Sequence, residues 1–332
     1  MVDKIRVSVG SASVLGLDFR SKFKDLPTTC YIMTFKEGHC LANCGFCPQA
    51  RSSKSSIEKL SRISWPLFSL KDFLRKLKEL PAAKKFMRIC IQTLNYPENF
   101  NDLKEIITEI KHVSKIPISV AIPPMSKEKI IDLKRLDVQR VGIALDGANP
   151  EIFKKIKGIE VEGPYTWEGH FQKLKEALEI FSKGSVSTHL IIGLGETEKD
   201  VIERIEELDN LGILISLFAF TPIKGTKFES LTQPQLQSFR KLQLGRYFIV
   251  NLGKSLKDFK FDTRGELLNF KINRREFKNI INNTEAFYTS GCPGCNRPYY
   301  TSKPSGSIYN YPRKLNELEK KDIYDMLKEF VN

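Results

Sequence analysis

The stretch Cys30-Tyr-Ile-Met-Thr-Phe-Lys-Glu-Gly-His-Cys40-Leu-Ala-Asn-Cys44-Gly-Phe-Cys47-Pro-Gln-Ala50 decides how the rest of the chain is read. It opens with an apolar run of strand length, Tyr31–Phe35, and passes into a short loop that carries three cysteines. Three residues separate the first pair of cysteines and two separate the second. In a large chain without a signal-peptide core in Met1 to Arg20, a disulfide framework is not expected, and short cysteine spacings point to metal thiolates or redox chemistry.

Working outward, short apolar runs alternate with amphipathic segments. Strands are predicted at Tyr31–Phe35, Met87–Gln92, Ile118–Ile122, Arg140–Leu145, Val186–Ile192 and Ile213–Phe220. Helices are predicted at Leu67–Leu80, Asp102–Val113, Lys127–Leu136, His170–Phe181 and Thr197–Leu211. Continuous apolar strands alternating with helices argue for parallel βαβ units. The fold class is therefore α/β, a partial or complete (β/α) barrel over residues 29–255, with extensions at 1–28 and 256–332. Chemistry in such barrels gathers at the C-terminal ends of strands. The cysteine loop sits there, as do Gln92, Asp146 and Glu196 in Gly193-Leu194-Gly195-Glu196. Each can line the mouth and contact a bound cofactor; Gln92 and Glu196 read equally well as loop caps, whereas Asp146 is placed to accept from ribose hydroxyls. Beyond Phe220 the pattern loosens: Gln235–Asn251 reads as a helix, Phe259–Asp262 as a strand and Thr284–Pro312 as an irregular loop. Leu315, Leu318, Ile323, Met326, Leu327 and Phe330 make one apolar helix face, for packing or for a partner.

Composition bounds the rest. The chain has 332 residues, 41% of them hydrophobic, enough to build a core without metals or disulfides. The longest strong apolar run, Ile213–Phe220, is strand length, so no membrane span and a cytoplasmic location are expected. The 53 Lys and Arg exceed the 39 Asp and Glu, giving net +14. That excess suits an acidic partner or simply a solvated lysine-rich surface; no nucleic-acid motif accompanies it, and a nucleic-acid partner is not expected.

Six of the seven cysteines fall in two groups. Cys40, Cys44 and Cys47 can hold three irons of a [4Fe–4S] cubane and leave the fourth open. An open iron can chelate the amino and carboxylate groups of S-adenosylmethionine. Zinc held by the same three and His39 is the alternative. Phe46 before the third cysteine, and Pro48-Gln49-Ala50 after it, resemble the radical S-adenosylmethionine signature. The second group, Gly291-Cys292-Pro293-Gly294-Cys295, reads as part of a second iron–sulfur cluster, with structural zinc as the alternative. Cys90, inside a strand, is either a buried structural thiol or a ligand.

Over residues 30–227 the chain resembles the biotin synthase-like branch of radical S-adenosylmethionine enzymes, on Cys40-Leu-Ala-Asn-Cys44-Gly-Phe-Cys47-Pro48-Gln49, Gly193-Leu194-Gly195-Glu196-Thr197 and Lys224-Gly225-Thr226. The resemblance implies that Cys40, Cys44 and Cys47 bind the [4Fe–4S] cluster, that Phe46 lies against adenine and that Asp146 binds ribose. Biotin synthase takes cysteines from separate strands for its second cluster. Here Cys90 fits one such position, Ser187 stands at another, and no cysteine lies between Cys90 and Cys292. Cys30 together with Cys292-Pro-Gly-Cys295-Asn-Arg297-Pro-Tyr-Tyr300 is instead similar to the two-component lipoyl synthases. That likeness implies a second, auxiliary [4Fe–4S] cluster on Cys30, Cys292 and Cys295 as sulfur source, with Cys90, Ser290, Ser302 or Ser305 as the fourth ligand. It also implies an octanoylated carrier domain (an H protein or E2 lipoyl domain), a sister sulfur-insertion protein and a low-potential electron donor. Rival readings are biotin synthase or another small-molecule sulfur inserter, an RNA-modifying enzyme of the same superfamily, and a zinc-binding module.

Overall fold

The computed structural model describes residues 2–18, 24–81, 86–302 and 305–332. Residues 1 and 19–23 of the N-terminal extension, and 303 and 304 of the loop at 284–312, lie outside the described residues. Strand β1 (Lys4–Val7) and helix α1 (Val9–Leu15) come first; the Ser8 hydroxyl accepts from Ser11 N–H at the helix start, and Gly16 ends it in the left-handed region. Strand β2 (Thr29–Thr34) leads into the cysteine loop. A hairpin of β3 (Lys59–Leu60) and β4 (Ile63–Ser64) follows, then β5 (Leu67–Ser69) and α2 (Leu70–Lys78). The helix predicted from Leu67 thus begins later, because Leu67 and Phe68 pair with β1 and the Ser69 hydroxyl caps at Asp72 N–H.

The alternation then runs as read: β6 (Arg88–Gln92), α3 (Asn99–Val113), β7 (Ile118–Ala121), α4 (Lys127–Arg135), β8 (Arg140–Gly142), α5 (Pro150–Ile156), α6 (Trp167–Ile180), β9 (Val186–Ile192), α7 (Glu198–Leu211), β10 (Leu214–Ala219) and α8 (Leu236–Leu252). The sequence reading missed α5, a short helix started by Asn149 and Pro150. Hairpin β11 (Lys260–Phe261)/β12 (Leu267–Asn269), α9 (Arg274–Asn283) and α10 (Glu317–Leu327) complete the chain.

Eight strands form one sheet in the order β10-β9-β8-β7-β6-β2-β1-β5. The six from β2 to β10 in that order pair in parallel; β1 runs antiparallel to both β2 and β5. The barrel is therefore partial. Its concave face is read from the register, because side chains alternate across a strand. Tyr31, Cys90, Ser119 and Arg140 are successive partners across β2, β6, β7 and β8, and all four line the interior. Their neighbours Cys30, Ile32, Ile89 and Ile91 pack into the apolar layer under the helices.

Among the described residues no strand pairs β10 with β5, and the irregular segment at 284–302 and 305–312 reaches from the β10 edge to Thr28 and Arg62. On one side, Leu217 N–H donates to Ser290 Oγ (3.0 Å) and Asn310 Nδ2 donates to Leu217 O (3.0 Å). On the other, Thr28 N–H donates to Asn296 Oδ1 (3.0 Å) and Arg62 Nη1 donates to the carbonyls of Tyr299 (2.9 Å) and Ser302 (2.8 Å). The loop is a closing stave, held by side chains in place of a ladder.

Candidate functional site

The loop after β2 is fixed by its own backbone. Cys40 N–H donates to Gln49 O (2.8 Å), Cys47 N–H donates to Cys44 O (3.0 Å), and the buried Gln49 amide donates to the carbonyls of Ile57 and Lys59 (both 2.6 Å). Gly45 lies under Phe228: a β-carbon there would stand 2.7 Å from the ring. The loop at 221–229 thus closes over the cysteines, and Phe228 N–H donates back to Gly45 O (3.1 Å). Asn95 N–H donates to Cys40 Sγ (3.1 Å), a contact that favours a thiolate. Burial pushes the thiols of Cys40 and Cys47 up and that of Cys44 up to about 12, the last opposed by Lys157. Left alone these groups are neutral; a bound cation is what would hold them as thiolates.

A second set of thiols lies deeper. Cys90 faces inward from β6, and burial followed by the neighbouring Cys292 pushes it up to about 11. Gln92 Nε2 donates to Cys90 Sγ (3.1 Å), and the Tyr31 hydroxyl lies 3.0 Å from Cys295 Sγ. Cys40 and Cys44 of the first set and Cys90, Cys292 and Cys295 of the second belong to one packed group with Tyr31, Met33 and Trp65. Arg297 stands beside the second set, its guanidinium 4.4 Å from the Phe218 ring centroid and its Nη1 without a hydrogen-bond partner. Burial works against its charge, yet Cys295 first, then Tyr31, Cys90 and Cys292, raise its pKa above the ordinary arginine value.

The expected grouping of Cys30 with Cys292 and Cys295 does not match this geometry. Cys30 alternates with Tyr31 and so points to the helix side of β2, fully buried, where its thiol meets the Ser11 hydroxyl of α1. Strand parity brings Cys90 to Cys292 and Cys295 instead. The candidate serines are also engaged elsewhere or exposed. Ser290 Oγ accepts from Leu217 N–H, Ser302 Oγ accepts from Tyr309 N–H (2.9 Å), and Ser305 is exposed.

A cavity of about 290 Å3 is bordered by both sets, by Cys40, Cys44 and Cys47 of the first and Cys90 and Cys292 of the second. Phe46, Gln92 and Asp146 line it as well. Glu196 is not among the lining residues: its carboxylate accepts from the N–H groups of Gly193 and Leu194 (3.0 Å) and so caps its own loop. Asp146 has positive φ (63°) and is 3% exposed. Lys157 Nζ donates to its Oδ2 (2.6 Å) and His189 Nε2 lies 2.7 Å from its Oδ1. Burial opposes its charge, but Lys157 and then His189 outweigh that and hold the carboxyl well below the usual range. Both oxygens face protein partners, so any ribose contact shares them. Sequence reading missed Lys157 and His189, which lie 11 and 43 positions from Asp146 and carry no local pattern.

Do these residues fit iron–sulfur clusters? Among the described residues no three Cys, His, Asp or Glu gather closely enough to hold a single metal ion. A cluster distributes its ligands over several irons and suits a wider set. An unpaired buried guanidinium N–H beside three thiols, and N–H donors on Cys40 and Cys90, are the surroundings that an anionic sulfur-rich group needs. The donor sets fit.

A partial (β/α) barrel with a three-cysteine loop after its first parallel strand and a cavity within defines a class of cluster-bearing barrel enzymes. The chain belongs to the radical SAM superfamily, whose family model matches residues 38–208. Among its relatives are biotin synthases, to which it is similar. A biotin synthase of Methanococcus aeolicus is 30% identical over 207 residues, 60% of this chain and 57% of its own length. One of Methanococcus vannielii is 29% identical over 223 residues, 66% of this chain and 63% of its own length. The chain thus spans less than two thirds of these relatives' length. Among solved structures, the FeFe-hydrogenase maturase HydG from Carboxydothermus hydrogenoformans shares the fold at TM-score 0.53 and 19% identity, covering 86% of this chain and 63% of that one. Methylornithine synthase does so at TM-score 0.50 and 14% identity, covering 71% and 67%. Membership implies a [4Fe–4S] cluster and S-adenosylmethionine. No described helix is long and apolar enough to cross a membrane.

Proposed function

We propose that this chain is a sulfur-inserting radical SAM enzyme of the lipoyl synthase type, acting on an octanoyl or mercaptooctanoyl chain borne by a carrier domain. The observation that carries the reading is that both cysteine sets border one cavity. Cys40, Cys44 and Cys47 are the ligands of the S-adenosylmethionine cluster, and Cys90, Cys292 and Cys295 are those of an auxiliary cluster. When bound, the first cluster and S-adenosylmethionine supply a radical able to take hydrogen from an unactivated C–H bond, and the second supplies sulfide. The protein's part is placement. Phe46, packed near Ile191 and Leu194, offers a face to adenine. The Asp146–Lys157 pair stiffens the wall, and the apolar lining keeps water from the reacting carbon.

A long acyl chain suits a cavity whose exposed lining surface is mostly apolar. The net +14 charge suits an acidic carrier, mainly by raising encounter rate. A sister protein for the other insertion and a low-potential electron donor belong to the same reading, as does a cytoplasmic location. Biotin synthase is the alternative, favoured by the relatives. The test is anaerobic turnover of the reconstituted chain with octanoyl- and mercaptooctanoyl-carrier and, separately, with dethiobiotin. A mass gain of one sulfur on a carrier supports the proposal, whereas biotin formation with carriers untouched overturns it.

A further inference from the structure

A smaller cavity, of about 40 Å3, lies at the seam where the closing stave meets the N-terminal strands. Pro27, Ile63 and Pro298 bound it, together with Val9 and Gly10 at the start of α1. Its exposed lining is almost wholly apolar. Val9, Gly10, Ile63 and Pro298 are partly exposed, so this cavity sits near the surface. Tyr31, Trp65, Arg297 and Tyr300 line both this cavity and the main one, and their side chains form the partition between the two. The partition is loosely tied on the stave side, where Ser61 Oγ donates to Tyr300 O at 3.4 Å. The approach past the cysteine loop is more firmly closed: Phe228 covers Gly45, and S-adenosylmethionine takes its place beside that loop. Trp65 adds an independent mark. It is 2% exposed, and its Nε1–H is buried without a partner among the described residues. A buried donor left unpaired costs free energy that an incoming acceptor would recover.

We propose that the seam cavity is the outer half of a substrate channel and holds the aliphatic arm on which a carrier presents its acyl chain. The arm lies against Ile63 and Pro298, the acyl carbonyl accepts from Trp65 Nε1, and the chain crosses the partition into the main cavity. A methylene arm is the chemistry that such a lining takes, because it is narrow, flexible and free of hydrogen-bonding groups. The carrier itself stays outside, over α1 and the β3/β4 hairpin. The proposal rests on the carrier-borne substrate of the reading above and adds its route and the residues that receive it.

The test uses the full chain, loaded anaerobically with iron and sulfide, and an octanoyl-lysyl peptide whose lysine arm carries a photoreactive diazirine. Irradiation should attach the peptide to residues 8–10, 63–65 or 297–300, located by mass spectrometry of the digest. Attachment confined to the loops at 41–48 and 221–229 overturns the proposal. Equilibrium dialysis of an isotopically labelled peptide gives a second measure. A β-carbon on Gly10 would meet Pro27 at 3.4 Å, an ordinary contact, so Gly10→Val fits the fold while narrowing the seam cavity. It should weaken peptide binding on the order of tenfold, with iron content and thermal unfolding confirming a folded chain. Trp65→Phe, which keeps an apolar ring and drops the donor, should weaken binding by a few-fold, roughly the worth of one hydrogen bond. Wild-type affinity in Gly10→Val overturns the route, and wild-type affinity in Trp65→Phe overturns the carbonyl contact. Failure of the underlying reading looks different: the acyl peptide neither binds nor attaches anywhere, while dethiobiotin is consumed with release of 5′-deoxyadenosine.

Discussion

Replacing Cys90 or Cys30 by alanine separates two arrangements of the auxiliary site. The two thiols lie on adjacent strands, Cys30 paired with Ile89 and Tyr31 with Cys90, so they project to opposite faces of the sheet. Cys90→Ala removes one of three inward thiols; with two left, a cubane loses a corner and is not expected to persist. Iron content after anaerobic reconstitution should fall from about eight per chain to about four, by the four-iron stoichiometry of such clusters. Cys30→Ala deletes one buried sulfur from the layer beneath α1. That costs about 1 kcal/mol of stability through lost packing, and iron should stay at about eight. The assay is iron and acid-labile sulfide per chain, with the Mössbauer spectrum to count clusters and thermal unfolding to confirm that both variants fold. The reverse pattern, with Cys30→Ala losing four irons and Cys90→Ala none, would refute the argument from strand parity.

Other perturbations follow from the same geometry. Gly45→Ala pushes a methyl group into the Phe228 ring, at 2.7 Å; the first cluster should be lost on reconstitution, and adding Phe228→Ala should restore part of it. Recovery absent from the double variant would place the fault elsewhere than in this contact. Asp146→Ala leaves Lys157 buried without its carboxylate, a loss of about 3–5 kcal/mol in denaturant unfolding; a variant as stable as wild type would mean that the pair is relaxed in solution. Because the folded carboxyl of Asp146 lies below its unfolded value, its contribution is whole above about pH 4 and is lost as the pH falls further. The stability gap to Asp146→Asn should therefore be flat from about pH 5 upward and close towards about pH 2, and a gap that closed on the alkaline side would contradict that sign. Arg297→Gln removes the cation beside Cys90, Cys292 and Cys295; the midpoint of the second cluster, read by redox titration with electron paramagnetic resonance, should move to lower potential, and an unmoved midpoint would show that the guanidinium does not sense the cluster.

The barrel was legible because its signal is local. Each βα unit writes its own hydrophobic period, and the six parallel strands and the helices between them, α5 excepted, fall within a few residues of the pattern. The cysteine loop was legible for the same reason, since three thiols in eight residues need no tertiary information. What sequence could not carry was facing. Whether Cys30 or Cys90 looks into the barrel depends on strand register, and one residue of parity reverses it. Nor could it carry the meeting of Asp146, Lys157 and His189, whose side chains arrive from the end of β8, the end of α5 and the middle of β9.

The C-terminal segment shows why facing and function are joined here. Read as sequence, 284–312 is rich in Tyr, Ser, Gly and Pro and has no period, so it reads as an appendage to a finished barrel. The sheet, however, is open: β1 runs antiparallel to the series, β5 beyond it is the last strand on that side, and β10 ends the other side at an unpaired edge. An edge of this kind must be covered. The segment covers it through Ser290 and Asn310 on Leu217, and through Asn296 on Thr28. The register leaves Cys90 facing inward alone, and only a stave entering from the seam can bring two further thiols to it. Gly291 and Gly294, at φ 131° and 76°, let the Cys292–Cys295 turn fit against Ser216 and Met87. Closure of the barrel and assembly of the second thiol set are thus one structural event. A substitution that loosens the stave without touching a cysteine, such as Asn310→Ala, should cost iron as well as stability.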